Sequence, residues 1–418
     1  MTFERCSRFA AILLMLLVAA VSRTPAQGAE RVIVQFRDDA AFDAFAADYA
    51  DDDRTAARGQ STYHRKGVVG AAMALERKHG FRATNFYSHA LKGFAASVTP
   101  AQRRALEANP LVQFVERDVV IALDPNPASE QIIPWGIPKI GADVSTARSG
   151  DGSGDISGVT IYIVDTGIDP SHPDINLVGH VTFIAGPNAD CHGHGTAVAG
   201  IAAARDNSMY SVGVAPGAPV YGVKVLSCAG ITLPSVIVQA LDWVVANGTK
   251  PGVINLSLST AIPIASVNNA VRNAAAQGFV VTVAAGNGNA AGVGVNACWI
   301  SPAGAGYLFG LPNGVVTAAA TDIDDQEATF SNFGNCVDLW APGVSLTSTW
   351  LMSEGGMITA SGTSFSSPYA AGAAALLLSR YPTLTPPAVE LVLRLFADMP
   401  GTLSKNGDPI RRLAVRLF

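Results

Sequence analysis

Short, continuous apolar runs rich in β-branched residues punctuate the second half of the chain: Val159 to Val164, Val220 to Leu226, Val253 to Ser257 and Phe279 to Ala284. Runs of this kind are expected of strands covered on both faces. Between them, Thr196 to Ala204, Ser235 to Ala246 and Ser266 to Gln277 carry helical patterning. Strands that alternate with helices predict an α/β architecture with a mostly parallel sheet and right-handed crossovers. Sites in such sheets form in the loops at the carboxyl ends of the strands. Further on, the polar stretch Ser361-Gly362-Thr363-Ser364-Phe365-Ser366-Ser367-Pro368 opens a small-residue apolar run from Tyr369 to Leu378. The boundary reads as a loop entering a buried helix, with Ser364 at the helix N-terminus.

The first part of the chain follows a different pattern. Arg31 to Phe36 reads as a strand, Ala71 to His79 as a helix and Gly93 to Val98 as a strand. Thr99-Pro100 then opens a helix over Ala101 to Ala108, and Val112 to Glu116 reads as a third strand. This order predicts a small α+β domain with an antiparallel sheet. The acidic run Asp48 to Asp53 is expected to be a solvated excursion, and Leu123 to Ser129, broken by two prolines, an exposed linker. Arg5 and Arg8 precede the apolar run Phe9 to Val21, the pattern of a signal peptide cut after Ala26 or Ala29. The expected organisation is therefore a signal peptide over 1–29, a small domain over 30–123 and a large domain over 124–418, in a protein exported without a membrane anchor.

Composition narrows the function classes. The chain has 418 residues, 49% hydrophobic and 15% charged, with 41 glycines, as expected of a compact, loop-rich protein. A net charge of −5 with no run of lysine or arginine argues against nucleic acid as a partner. Cys6 would leave with the signal peptide, so the mature chain keeps Cys191, Cys228, Cys298 and Cys336. An even number in an oxidising compartment suggests two disulfides, in any of three pairings, or else four buried thiols.

Polar signals fall at the predicted strand ends. Asp165 follows the strand over Val159 to Val164, and His194 opens a small-residue helix in His192-Gly193-His194-Gly195-Thr196. Asn287 follows the strand Phe279 to Ala284 through Ala285-Gly286, and Ser364 heads the last helix. Each alone has an ordinary explanation: a turn aspartate, a helix-start histidine, an Asx-turn asparagine, an N-cap serine. Together they supply a nucleophile, a base, a carboxylate to fix the tautomer of that base, and an oxyanion donor. His192 raises the alternative of a metal site, which lacks further ligands at suitable spacing.

These motifs, with Pro134-Trp135-Gly136 and Ser367-Pro368, resemble the subtilisin-like serine peptidases, most closely the proteinase K-like branch. The resemblance spans about 134–400 and implies a secreted serine endopeptidase acting on proteins or peptides. It implies Asp165, His194 and Ser364 as the triad and Asn287 with the Ser364 backbone N–H as the oxyanion site. It also implies disulfides pairing Cys191 with Cys228 and Cys298 with Cys336, each worth about 4 kcal/mol by loop closure. The small first domain resembles the inhibitory, ferredoxin-like propeptide of these enzymes, removed by self-cleavage between Leu123 and Ser129. A monomer is expected. No cofactor is expected for the chemistry, although Asp338 matches an acidic calcium ligand, with carbonyls near Asn313 and Val315 to complete the shell. Alternatives are a catalytically silent binding protein or an esterase on the same scaffold.

Three departures bear on specificity. The segments lining the primary pocket are Ser257-Leu258-Ser259-Thr260, where the family has two glycines, and Ala284-Ala285-Gly286. Side chains at Ser259 and Thr260 predict a narrower or more polar pocket. Ala229 to Leu233 stands where a Gly/Ser-rich edge pairs with extended substrate, and Phe365 to Tyr369 replaces the usual residues after the nucleophile.

Overall fold

The computed structural model describes residues 29–37, 42, 44, 66–119, 121–122, 134–207, 209–306 and 310–418. The signal-peptide run, the acidic excursion at 48–53 and the linker at 123–129 lie outside the described residues. Two compact units divide at about Asp118.

The first unit runs β1 (Glu30–Phe36), α1 (Lys66–His79), β2 (Arg82–Tyr87), β3 (Gly93–Val98), α2 (Pro100–Glu107) and β4 (Val112–Arg117). Its four-stranded sheet has the order β2-β3-β1-β4, and β1 pairs antiparallel with both β3 and β4. The pattern analysis missed β2, whose alternation is interrupted by Thr84 and Asn85. With it the order becomes β-α-β-β-α-β, the ferredoxin-like arrangement. Thr99 caps α2 in a full capping box with Gln102, so the Thr-Pro signal works through side-chain oxygens on otherwise unpaired N–H groups. The core gathers Val32, Val34, Phe36 and Phe94 from the sheet and Val69 and Leu106 from the helices.

The second unit is built on seven parallel strands in the order β13-β12-β11-β10-β6-β8-β7. In chain order these are β6 (Thr160–Asp165), β7 (Leu177–Thr182), β8 (Val220–Lys224), β10 (Gly252–Leu256), β11 (Val280–Ala284), β12 (Val315–Thr321) and β13 (Leu339–Pro342). The four apolar runs of the sequence became β6, β8, β10 and β11, the continuous centre of the sheet. β7, β12 and β13 were not anticipated: β7 is mixed polar and β12 is largely alanine, so neither stands out by periodicity. A hairpin of β14 (Leu346–Thr349) and β15 (Met357–Ala360) lies outside the main sheet. After the short helix α3 (Gly136–Ile140), helix α4 (His194–Ala203) packs on α7 (Thr363–Arg380), and α5 (Pro234–Asn247) packs on α6 (Ala265–Ala276). Helix α8 (Pro386–Leu395) closes the series. The fold is the subtilisin-like α/β sheet, with helices on both faces, that the resemblance implied.

Ser364 stands at a helix N-terminus, as the sequence predicts, and the polar residues from Thr363 to Pro368 belong to that helix. Helix α7 begins at Thr363 and contains Pro368. Proline in a helix interior removes the N–H that would bond the carbonyl four residues back, here Ser364. The structure supplies a substitute, since the Ser257 hydroxyl donates to the Ser364 carbonyl at 2.7 Å. Ser257 itself accepts from Asn255 Nδ2, and Asn255 Oδ1 accepts the hydroxyls of Ser367 and Thr282. The helix therefore survives its proline because the end of β10 is wired to its first turn. Ser257→Ala leaves that buried carbonyl without its donor and is expected to destabilise by about 1–3 kcal/mol. Urea unfolding should show a lower midpoint at unchanged slope, and an unmoved midpoint would refute the substitution of one donor for the other.

Candidate active site

Asp165 ends β6, the strand between β10 and β8, and its side chain is wholly buried. One carboxylate oxygen, Oδ1, accepts from the Thr166 N–H at 2.7 Å and from His194 Nδ1 at 2.8 Å. An unpartnered buried carboxylate is costly, so this geometry binds the imidazole tightly and sets its tautomer: Nδ1 carries the proton and Nε2 is the basic nitrogen. The approach needs glycine at the next position. A Cβ on Gly195 would lie 2.1 Å from the Gly167 carbonyl oxygen and 3.2 Å from Asp165 Cβ. Gly195 N–H also donates to Thr166 Oγ1.

The turn ahead of His194 is held by Asp190. Its Oδ1 accepts from the His192 and Gly193 N–H groups, and its Oδ2 from the N–H and hydroxyl of Thr196. A carboxylate set just ahead of α4 also faces the positive end of the helix. Lys224 pairs in register with Asp165 on β8, is fully buried, and donates its ammonium to the Thr166 carbonyl. Burial pushes its pKa down, against the pull of the Asp190 and Asp165 charges.

Ser364 is the second residue of α7, which packs on α4, the helix that His194 opens. The Phe365 ring stands 6.0 Å, centroid to centroid, from the imidazole of His194. Asn287 follows β11, and its Oδ1 accepts from both the N–H and the hydroxyl of Thr363 at 2.8 Å. Two donors on that atom identify it as the oxygen and turn the Nδ2 edge away from Thr363. Thr363 Oγ1 in turn accepts from the Gly286 N–H at 3.0 Å. The structure thus sets His194 on Asp165 at the end of β6, and Asn287, after β11, on Thr363, the residue before Ser364 in α7.

Residues 156–408 match the Subtilase family, and residues 31–124 match the Peptidase inhibitor I9 family. The chain belongs to the subtilase family. It is similar to an "Extracellular serine proteinase" of Thermus sp. (strain Rt41A), 36% identical over 354 residues, covering 82% of this chain and 79% of the relative. It is 34% identical over 323 residues to "Alkaline serine exoprotease A" of Vibrio alginolyticus, covering 75% of this chain but only 57% of that protein's length. Among solved structures, a cold adapted subtilisin-like serine proteinase superposes with TM-score 0.58 at 33% identity, covering 68% of this chain and 99% of that one. This subtilase is a subtilisin-like serine peptidase carrying an inhibitor-type segment ahead of its catalytic sheet.

Both cystine pairs implied by the family resemblance are present, Cys191–Cys228 with Cα atoms 5.0 Å apart and Cys298–Cys336 with 5.3 Å. The first ties the turn before His194 to the loop before β9 (Ile231–Thr232). Strand β9 pairs antiparallel with β5 (Ile121–Ala122), so the edge at Ala229 to Leu233 accepts an extended backbone despite its bulky residues. Of the expected pocket residues, Ala284 ends β11 and Ala285 leads into Gly286, and Leu258 and Ser259 are buried. Ser257 is buried with its hydroxyl spent on Ser364, and Thr260 is tied to the Ser301 loop through its own hydroxyl and N–H. His192 sits edge-on to Trp350 and near His194, and burial first, then the neighbouring imidazole, lowers its pKa. No group of three or more metal-ligating side chains occurs among the described residues.

Sequence reasoning missed Asp190, Thr363 and Lys224. Most of their partners are backbone groups, joined by the Asn287 amide oxygen and the Thr196 hydroxyl, and no spacing rule encodes them. Only Thr363, next to the candidate nucleophile, had a local signal.

Proposed function

We propose that this subtilase is a secreted endopeptidase that cleaves protein and peptide substrates through an acyl-enzyme. The observation that carries the reading is the bond from His194 Nδ1 to the buried Asp165 carboxylate, set beside the first turn of the helix that bears Ser364. In the proposed reaction, His194 Nε2 takes the Ser364 hydroxyl proton as the oxygen attacks the scissile carbonyl. Asp165 holds the imidazole and stabilises its charged form without itself taking the proton. The oxyanion is received by Asn287 Nδ2 and the Ser364 N–H, the latter at the positive end of α7. His194 then returns the proton to the leaving amine, and water repeats the sequence on the ester.

The same reading assigns 1–29 as signal peptide, 30–123 as inhibitory propeptide and 124–418 as the mature, monomeric peptidase. Pairing of β5 with β9 supports a propeptide tail held in extended conformation along the substrate edge. The Thermus relative, an extracellular serine proteinase by name, supports export, and no helix among the described residues is long and apolar enough to cross a membrane.

Asp338 fits a guanidinium better than a calcium ion. It is buried, Oδ2 accepts the Thr317 N–H at 2.9 Å, and Oδ1 faces Arg394 at 3.4 Å. Burial and the neighbouring Glu390 push its pKa well up, against the pull of the Arg394 charge, and Arg394 also pairs with Glu390. Arg394 therefore supplies the positive charge that the resemblance would assign to calcium.

Three outcomes are expected. Ser364→Ala should abolish fluorophosphonate labelling and leave the secreted chain uncut at its own junction by N-terminal sequencing. Labelling that persists in this variant would remove Ser364 from its role, and hydrolysis of esters without casein would turn the reading toward an esterase. In a peptide library the pocket beside Ser259 should favour small over large aromatic residues ahead of the cut, and equal cleavage after Phe and Ala would overturn the narrowed pocket. The change in Tm between excess EDTA and excess calcium should be the same in wild type and Asp338→Asn. A calcium response that disappears with Asp338 would restore that residue as a metal ligand.

A further inference from the structure

Asn332 lies in the loop between β12 and β13, within Ser331-Asn332-Phe333-Gly334, and is 1% exposed. Four of its hydrogen bonds converge on the stretch that follows β11. Its N–H donates to the Gly286 carbonyl at 2.9 Å and its Nδ2 to the Ala285 carbonyl at 2.8 Å. Its Oδ1 accepts from the Gly288 N–H at 3.1 Å and the Val295 N–H at 2.8 Å. Three of these grips fall on the two residues before Asn287 and the one after it, so a single side chain and its own N–H hold the backbone on both sides of the oxyanion asparagine.

That segment needs an external clamp. Gly286 and Gly288 both have left-handed backbone, with φ of +95° and +87°, so Asn287 sits between two residues of high intrinsic freedom. The turn is part of no ladder, as the last sheet bond here is from the Ala285 N–H to the Ala318 carbonyl. Asn332 also fills the space that glycine leaves: a Cβ on Gly286 would lie 2.5 Å from its Nδ2. Thr363 fixes which way the Asn287 amide faces and accepts the Gly286 N–H on one side of it, whereas Asn332 grips the backbone on both sides of Asn287. The anchor is itself held, because Lys405 donates to the carbonyls of Ala328 and Ser331.

We propose that Asn332 is the positioning residue of the oxyanion site, holding the Gly286-Asn287-Gly288 turn at the distance from Ser364 at which the Asn287 amide meets the developing charge. It touches no substrate and acts through Asn287, so the inference rests on Asn287 as oxyanion donor. An oxyanion donor works only when preorganised, and a shift on the order of 1 Å in a catalytic geometry costs roughly 10²-fold in rate.

The test is a double-mutant cycle on the mature enzyme, with kcat and KM measured on a peptide anilide and normalised by active-site titration. Asn332→Ala should lower kcat by about 10- to 100-fold with KM changed by less than about twofold. Asn332→Asp, which keeps the acceptor for Gly288 and Val295 but loses the donor to Ala285, should lower it less. In an Asn287→Ala background, itself expected to lose about 10²- to 10³-fold as measured for the matching residue of subtilisin, either change should add less than about twofold. Losses that persist undiminished in that background, an unchanged kcat in both single variants, or failure of both to yield titratable enzyme would overturn the proposal and leave Asn332 a structural residue. If Asn287→Ala alone leaves kcat intact, the oxyanion reading falls first and the cycle shows it separately.

Discussion

The burial of Asp165 at the tip of the central strand is the constraint on which the rest of the site depends. A carboxylate with no solvent access must be compensated locally, and the compensation is supplied by the Thr166 N–H, by His194 and by the charge of Lys224 one strand away. Meeting that need brings the start of α4 so close to the end of β6 that residue 195 has no room for a side chain. The glycine after the histidine, the Asp190 cap on the same turn and the disulfide at Cys191 all serve that closeness. The imidazole is thereby fixed by the electrostatic demand of a buried charge rather than by packing alone.

A second dependence runs through Pro368. Its missing N–H exposes the Ser364 carbonyl, and Ser257 answers it from the end of β10. One turn of helix is thus joined to the sheet by hydrogen bonds that an uninterrupted helix would not need. Tyr369 follows, fully buried, its ring so close to Gly136 that a Cβ there would lie 2.2 Å from the phenol oxygen. This gives a physical account of the Phe365 to Tyr369 departure from the family pattern. Phe365 lines the His194 ring, and Tyr369 fills the space under the start of α3, so the substitutions are packing solutions that leave the reacting groups alone.

The parts legible in the sequence were those where one segment carries its own signal. The continuous runs of β6, β8, β10 and β11 could hardly be anything but doubly covered strands, and Asp165, His194, Asn287 and Ser364 sit at element boundaries with distinctive neighbours. β12 was hidden because alanines have no strand signature, and β2 because its exposed face is broken by polar residues. The start of α7 next to Ser364 was legible, whereas its continuation through Ser366 to Pro368 was not: serine reads as a loop former until tertiary donors satisfy what it and the proline leave open. Asp190, Ser257 and Asn332 were illegible because each acts on backbone groups distant in sequence or on the far side of a turn.

The distribution of those illegible residues is itself informative. The four groups proposed to react are side chains that motif reasoning can name, whereas the groups that hold them bond mainly to main-chain N–H and C=O. Backbone groups are the same for every residue type, so such supports leave no compositional trace at the position they hold. Their influence on rate follows from geometry alone: a donor that must meet a charge appearing for a moment gains nothing from being present if its backbone wanders. Asn287 is flanked by two left-handed glycines, the least self-restrained arrangement a chain offers, and so depends on its surroundings more than Ser364 or His194, each of which is seated in a helix. The oxyanion arm is for that reason the part of the site most dependent on residues remote from it in sequence.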